Sequence, residues 1–193
     1  MGSVESLTNV KKIVENINEP VVVVVSALGG ITDRLIRTSQ LAVAGDDNYR
    51  NEFDAMVDRH HGIIDAVIPA GAAHDALKAK VDALLDEFRS IYHGVYLIRD
   101  MTQKTANVIV SYGERMSSQI VSAFIEGSQC YDSREFIKTV RKQNRNLVDF
   151  DVTIRLVIQT FARMPRIAVV PGFIASDAND GETTNLGRGG SDY

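Results

Sequence analysis

The chain has 193 residues, 45% of them hydrophobic and 24% charged, a balance that fits one soluble domain with its own core and excludes disordered and fibrous classes. A formal net charge of -4 gives no basic field for a polyanionic backbone, which argues against nucleic acid as a partner and leaves room only for small anions held locally. The single cysteine, Cys130, rules out an internal disulfide and fits a reducing compartment. The longest strongly apolar run, Val21 to Leu28, is too short to cross a bilayer as a helix, and Met1 to Glu5 carry no secretory leader, so no membrane contact and a cytoplasmic location are expected.

Val4, Leu7, Val10, Val14 and Ile17 recur at three- and four-residue steps with Lys11, Lys12 and Glu15 between them, which predicts an amphipathic helix ended by Asn18-Glu19-Pro20. Val21 to Val25 then form an apolar run without alternation, the pattern of an interior parallel strand covered on both faces, here expected beside Ile167 to Val170. A glycine turn, Ser26-Ala27-Leu28-Gly29-Gly30, leads to Thr32 and Asp33 as candidate caps and a helix through Leu35, Ile36, Leu41 and Val43. From Asn48 to about Asp100 the pattern is helical, broken only at Pro69-Ala70-Gly71, with Glu52, Asp54 and Asp58 on a hydrated face. His60 and His61 are adjacent and point to different faces, so solvated histidines are expected rather than metal ligands.

A further helix runs from about Gln103 to Glu126, with Ile109, Tyr112, Met116, Ile120 and Phe124 on one stripe and Gly127 as its stop. Gly113 interrupts it at a cost of about 1 kcal/mol relative to alanine, which suggests close packing or a small deformation next to Glu114. Short strands are expected at Gln129 to Asp132 and Ile167 to Pro171, with an amphipathic helix from about Asp151 to Phe161 between them, and Cys130 reads as a small buried apolar residue. Strands followed by helices in this order indicate an α/β architecture.

Three segments carry candidate chemistry. The stretch from Pro171 to Tyr193 holds Gly172, Gly181, Gly187, Gly189 and Gly190, too many for a regular element but suited to a backbone that approaches a ligand. Arg188 lies between two of these glycines, and its guanidinium forks onto a carboxylate or phosphate; a surface hairpin with an exposed arginine fits the spacing as well. In Ser111-Tyr112-Gly113-Glu114-Arg115-Met116-Ser117-Ser118 the charged pair reads either as an exposed ion-paired face or as a ligand anchor. The Ser26 to Gly30 turn suits a phosphate, yet lacks the three-glycine spacing of the dinucleotide fingerprint.

In order and spacing, these three segments resemble the aspartate kinases of the amino-acid kinase superfamily, and the similarity extends over essentially the whole chain. Leu186-Gly187-Arg188-Gly189-Gly190-Ser191-Asp192-Tyr193 is its most specific part. The resemblance implies a three-layer α/β/α sandwich on a mainly parallel sheet. It also implies ATP-dependent phosphorylation of the side-chain carboxylate of L-aspartate to 4-phospho-L-aspartate, the first step toward lysine, threonine and methionine, with ATP and Mg2+ as cofactors and a homo-oligomeric parent. Carried over position by position, Arg188 would clamp a substrate carboxylate and Glu114 would take the amino group. Ser26, Thr32, Phe173 and Ser191 would line the same pocket, Gly29, Gly30, Gly189 and Gly190 would supply backbone donors near the phosphates, and Asp192 would organise the catalytic site.

Two departures matter. The family opens with a strand ending in a lysine and a glycine-rich phosphate loop, whereas this chain begins at the point where that loop should finish; the family also continues beyond Asp192-Tyr193 into the half that holds the adenosine. The resemblance therefore implies that residues 1–193 are the aspartate-binding half of a kinase domain, cut at both ends, whose substrate anchors are present and whose catalysis is not. Two other readings stand beside it: another amino-acid kinase, of N-acetylglutamate or glutamate type, and a non-catalytic ligand-binding domain. Glu114 argues against an acetylated amine, because a carboxylate calls for a charged ammonium.

Overall fold

The computed structural model describes residues 2–142 and 145–187. Ser3 caps the first helix, α1 (Val4–Glu15), in a reciprocal capping box with Ser6, and Leu7 and Val14 are its buried residues. The valine run forms β1 (Val21–Val25), followed by four helices: α2 (Ile31–Ala44), α3 (Asn48–Val67), α4 (Ala72–Ile98) and α5 (Gln103–Phe124). After α5 come β2 (Ser128–Cys130), a short 3-10 turn at Ser133–Glu135, β3 (Lys138–Lys142), β4 (Arg145–Val148), α6 (Phe150–Phe161), β5 (Ile167–Pro171), β6 (Ile174–Asp177) and β7 (Thr183–Asn185). The break between α3 and α4 falls at Pro69-Ala70-Gly71, as expected from a residue that cannot donate and one that stands at φ 148°.

Two sheets organise the chain. The first has the order β1-β5-β2 and is parallel throughout, with Val21 to Val25 in register with Ile167 to Pro171 and Ser128 to Cys130 along the other side of β5. Strand β5 is central and all five of its residues are buried. The second sheet is mixed, in the order β4-β3-β6-β7.

Helices α2 to α5 form a layer whose interior is aromatic. Phe88 stacks on Tyr112 with centroids 5.0 Å apart, Phe53 and Tyr92 complete the cluster, and the Tyr92 hydroxyl donates to the Leu35 carbonyl at 2.7 Å, tying α4 to α2. These residues come from stripes spaced at three and four, so the helical pattern alone buries them together.

Four expectations are corrected. β1 runs parallel to β5 as anticipated, but among the described residues it is an edge strand. Val21, Val23 and Val25 face the helical core, whereas Val22 and Val24 remain 43% and 48% exposed. Successive strand side chains alternate faces, so five identical residues say nothing of whether both faces are covered. Thr32 and Asp33 do not cap α2; Gly30 does, at φ 79° and without a side-chain bond. The region after Pro171 is more regular than its glycines suggested, since β6 and β7 pair as antiparallel strands around Asp177 to Glu182. Finally, His60 is fully buried, with Nδ1 2.7 Å from the Met56 carbonyl, whereas His61 and His74 sit against Asp82 and Asp65.

Candidate functional site

The carboxyl ends of β1 and β5 lie side by side, where open parallel sheets place their ligands. The Gly172 amide donates to the Val25 carbonyl at 2.8 Å and closes the two strands together. Beyond β5 the chain turns through Phe173, a non-glycine residue at φ 65°. The strained conformation is fixed on both sides: Ile174 donates to Gly172 O at 2.7 Å and Leu186 donates to Phe173 O at 2.9 Å. Beyond β1, the Ser26 to Gly30 turn delivers the chain to α2. The first turn of that helix closes through Ile31 to Leu28 O at 2.9 Å and Arg34 to Gly30 O at 3.2 Å, and no side chain caps it.

Helix α5 supplies the charged member. Glu114 is 3% exposed. Burial of its carboxylate dominates and raises its pKa from 4.5 to about 7, against the opposing pull of the Glu114 and Ala27 amides, which favour ionisation. Its Oε2 has no hydrogen-bond partner among the described residues. One turn on, the Ser117 hydroxyl donates to Ser26 O at 2.9 Å. Arg115 points elsewhere: its guanidinium lies 4.5 Å from the Tyr112 ring centroid and 3.5 Å from Glu87. Of the adjacent charged pair, only Arg115 behaves as an ordinary ion-paired side chain.

A cavity of about 1090 Å3 opens between α2, α5 and the second sheet, with Thr32 and Phe173 on its wall. The structure thus brings Thr32 and Phe173 to one cavity, and joins Ser26 to Glu114 through Ala27 and Ser117; Ser26 and Glu114 are not on that cavity's wall. Gly29 and Gly30 are exposed at the start of α2. Arg188, Gly189, Gly190, Ser191 and Asp192 lie outside the described residues, which end at Gly187 on the same wall.

Sequence reasoning missed Asn107 and Asn185, which also line this cavity. Asn185 Nδ2 donates to Asn107 Oδ1 at 3.2 Å, and Gln103 Nε2 donates to the same oxygen at 2.9 Å. The available signal was spacing: Asn107 precedes Glu114 by two helical turns and shares its face. Cys130 is half-buried and its thiol pKa is raised by burial, which agrees with a structural residue rather than a nucleophile. Among the described residues no group of three or more His, Cys, Asp or Glu is placed to hold a metal ion, and no helix is long and apolar enough to cross a membrane.

The model of the Amino acid kinase family matches residues 1–193. The chain is 29% identical over 201 residues to the bifunctional aspartokinase/homoserine dehydrogenase 1, chloroplastic, of Zea mays, covering 100% of this chain and 22% of that protein. It is 24% identical over 208 residues to aspartokinase 1, chloroplastic, of Arabidopsis thaliana, covering 99% of this chain and 35% of the relative. The chain therefore spans between about a fifth and a third of the length of these relatives. Among solved structures, E. coli aspartokinase III in complex with aspartate and ADP superposes with a TM-score of 0.85 at 24% identity, over 100% of this chain and 42% of that one, which establishes a shared fold.

Proposed function

This chain belongs to the amino acid kinase family, and from the site it carries we propose that it is the aspartate-recognising part of an aspartate kinase. The reaction would move the terminal phosphoryl group of ATP onto the side-chain carboxylate of L-aspartate, opening a route toward lysine, threonine and methionine. Glu114 carries the proposal. A carboxylate that is 3% exposed, with one oxygen unpartnered among the described residues, is costly unless a cation completes it. The ammonium of a free amino acid is such a cation, and it would draw the proton off Glu114 as it bound.

An amino acid held at one end by Glu114 needs a second anchor to fix its register, and Arg188 is proposed to clamp its carboxylate through a bidentate fork. Ser26, Thr32, Phe173 and Ser191 are proposed to line the pocket, and Asp192 to organise the catalytic end. ATP would supply the phosphoryl group, with Mg2+ offsetting the charge that spreads over it in transfer. The start of α2 fits a phosphate: it opens on exposed Gly30 in a left-handed conformation, with no side chain bonded across its first turn. The amides of Gly29 and Gly30 would hold phosphate oxygens there, with Gly189 and Gly190 adding donors. The aspartate and ADP bound to the E. coli neighbour are consistent with this pairing of ligands.

Calorimetric titration of the 193-residue chain tests the reading. L-Aspartate is expected to bind, and N-acetyl-L-aspartate, which lacks the ammonium, to bind at least about tenfold more weakly, the equivalent of one charge-assisted contact. Equal affinity for the two, preference for N-acetyl-L-glutamate, or no binding of aspartate at millimolar concentration would each overturn it.

A further inference from the structure

We propose that Gly113 and Ser117 are positioning residues, which clamp the Ser26 to Gly30 turn onto α5 and so hold the backbone of Ala27 close to Glu114. The consequence for ligand binding rests on the aspartate reading above; the geometry does not. Residues 113, 114 and 117 meet the turn in three different ways. Gly113 offers a gap, Glu114 feels the field of the Ala27 amide, and Ser117 donates to Ser26 O at 2.9 Å.

The gap is specific. A Cβ built on Gly113 would lie 2.9 Å from Ala27 Cβ, 3.3 Å from Leu35 Cδ1 and 3.4 Å from Ile31 Cγ2. Ala27 Cβ is not the free end of a flexible side chain. It is fixed to the backbone whose amide favours the ionised form of Glu114, so a methyl group at 113 displaces that amide with it. Ile31 and Leu35 belong to α2, and the same methyl group presses on the helix whose start is proposed to hold phosphate. Alanine is the better helix former, so a glycine kept only for α5 itself has no purpose at this position. Its use lies in how close the turn can come.

The test pairs Gly113→Ala with Ala27→Gly, singly and together. Two quantities are read: the titration of the Glu114 carboxyl carbon by 13C NMR, and L-aspartate affinity by calorimetry. Gly113→Ala is expected to move the Glu114 titration upward by about one pH unit, as the amide that favours the charge is pushed away, and to weaken aspartate about tenfold. The double variant, which removes the atom at 2.9 Å, is expected to return both toward the parent values. Ser117→Ala adds no atoms and should move both quantities in the same direction as Gly113→Ala, which keeps the test decisive should that variant fold poorly.

A Gly113→Ala chain that folds with an unchanged Glu114 titration, or a double variant that restores nothing, would overturn the positioning role. A parent chain that binds no aspartate would instead remove the aspartate reading, and the carboxyl titration would still decide the role of Gly113.

Discussion

At the scale of single residues, Glu114 couples folding and ligand binding to pH. Its folded pKa of about 7 lies above the ordinary 4.5, so the folded state holds the proton more tightly than the unfolded one. The stability this gives is complete below pH 4.5 and is lost as pH rises through 7, a total of about 3 kcal/mol. Glu114→Gln removes the charge that burial penalises. It is expected to raise unfolding free energy by up to about 3 kcal/mol at pH 8 and to change it little at pH 4.5, as measured by urea unfolding at both; equal effects at the two pH values would sink the assignment. Ligand binding has the opposite sign, because an ammonium requires the ionised carboxylate. L-Aspartate affinity is expected to rise about tenfold between pH 6 and 8 in calorimetry, and a flat profile would argue against Glu114 as the anchor. The sequence singled out Glu114 by its motif, but not its isolation. That isolation depends on Arg115 turning to Tyr112 on its own helix and to Glu87 on α4, a rotamer choice that the motif alone does not fix. His60 shows the converse: it was read as solvated, yet α3 turns it inward beside Met56 and Ile64, where burial lowers its pKa and keeps it neutral.

At the scale of elements, α5 matters most, because it carries Asn107, Gly113, Glu114 and Ser117 on 22 residues. Its start is fixed by Thr102, whose hydroxyl accepts from the Thr105 amide at 3.1 Å. Thr102→Ala is expected to cost about 1 kcal/mol of global stability, visible as a lower urea midpoint with an unchanged slope; no change would mean that packing alone positions the helix. Helices such as α5 were legible because large apolar residues, here Ile109, Tyr112, Met116 and Ile120, recur at three and four residues, although α5 is in fact buried almost all round. The strands of the second sheet were not. In β3, Lys138-Thr139-Val140-Arg141-Lys142, Thr139 is the only buried residue, and its hydroxyl pairs with that of Thr184 at 2.8 Å. A strand held by threonine contacts between polar neighbours carries almost no hydrophobic signal. In β6 and β7 the glycine and aspartates of the connecting turn masked the two short strands on either side.

At the scale of the whole molecule, apolar side chains are divided unevenly between two faces of the parallel sheet. On the α2 to α5 side, Leu35, Met56, Ile109 and Ile120 are at most 2% exposed. On the other side, Val22 and Val24 face a cavity of about 240 Å3 beside α6. That helix attaches through Thr153 and through Phe161, which packs 5.1 Å from Tyr131 and 5.2 Å from Phe136. Its remaining stripe, Phe150, Ile154 and Ile158, is 58%, 54% and 66% exposed. Spacing of four along a helix puts these three side chains in one line, so they form a continuous strip rather than scattered contacts. The same residue type therefore contributes oppositely on the two faces. Leu35→Ala, at 0% exposure, is expected to destabilise the fold by about 2 to 5 kcal/mol through lost burial and a residual cavity. The paired change Ile154→Gln and Ile158→Gln removes apolar area that is mostly in water already, so unfolding free energy should stay within about 1 kcal/mol of the parent while self-association falls. Urea unfolding and sedimentation velocity measure the two quantities on the same samples. A loss above about 2 kcal/mol from the isoleucine pair would mean that the strip is closed in solution, and the two-faced description of the fold would then have to be given up.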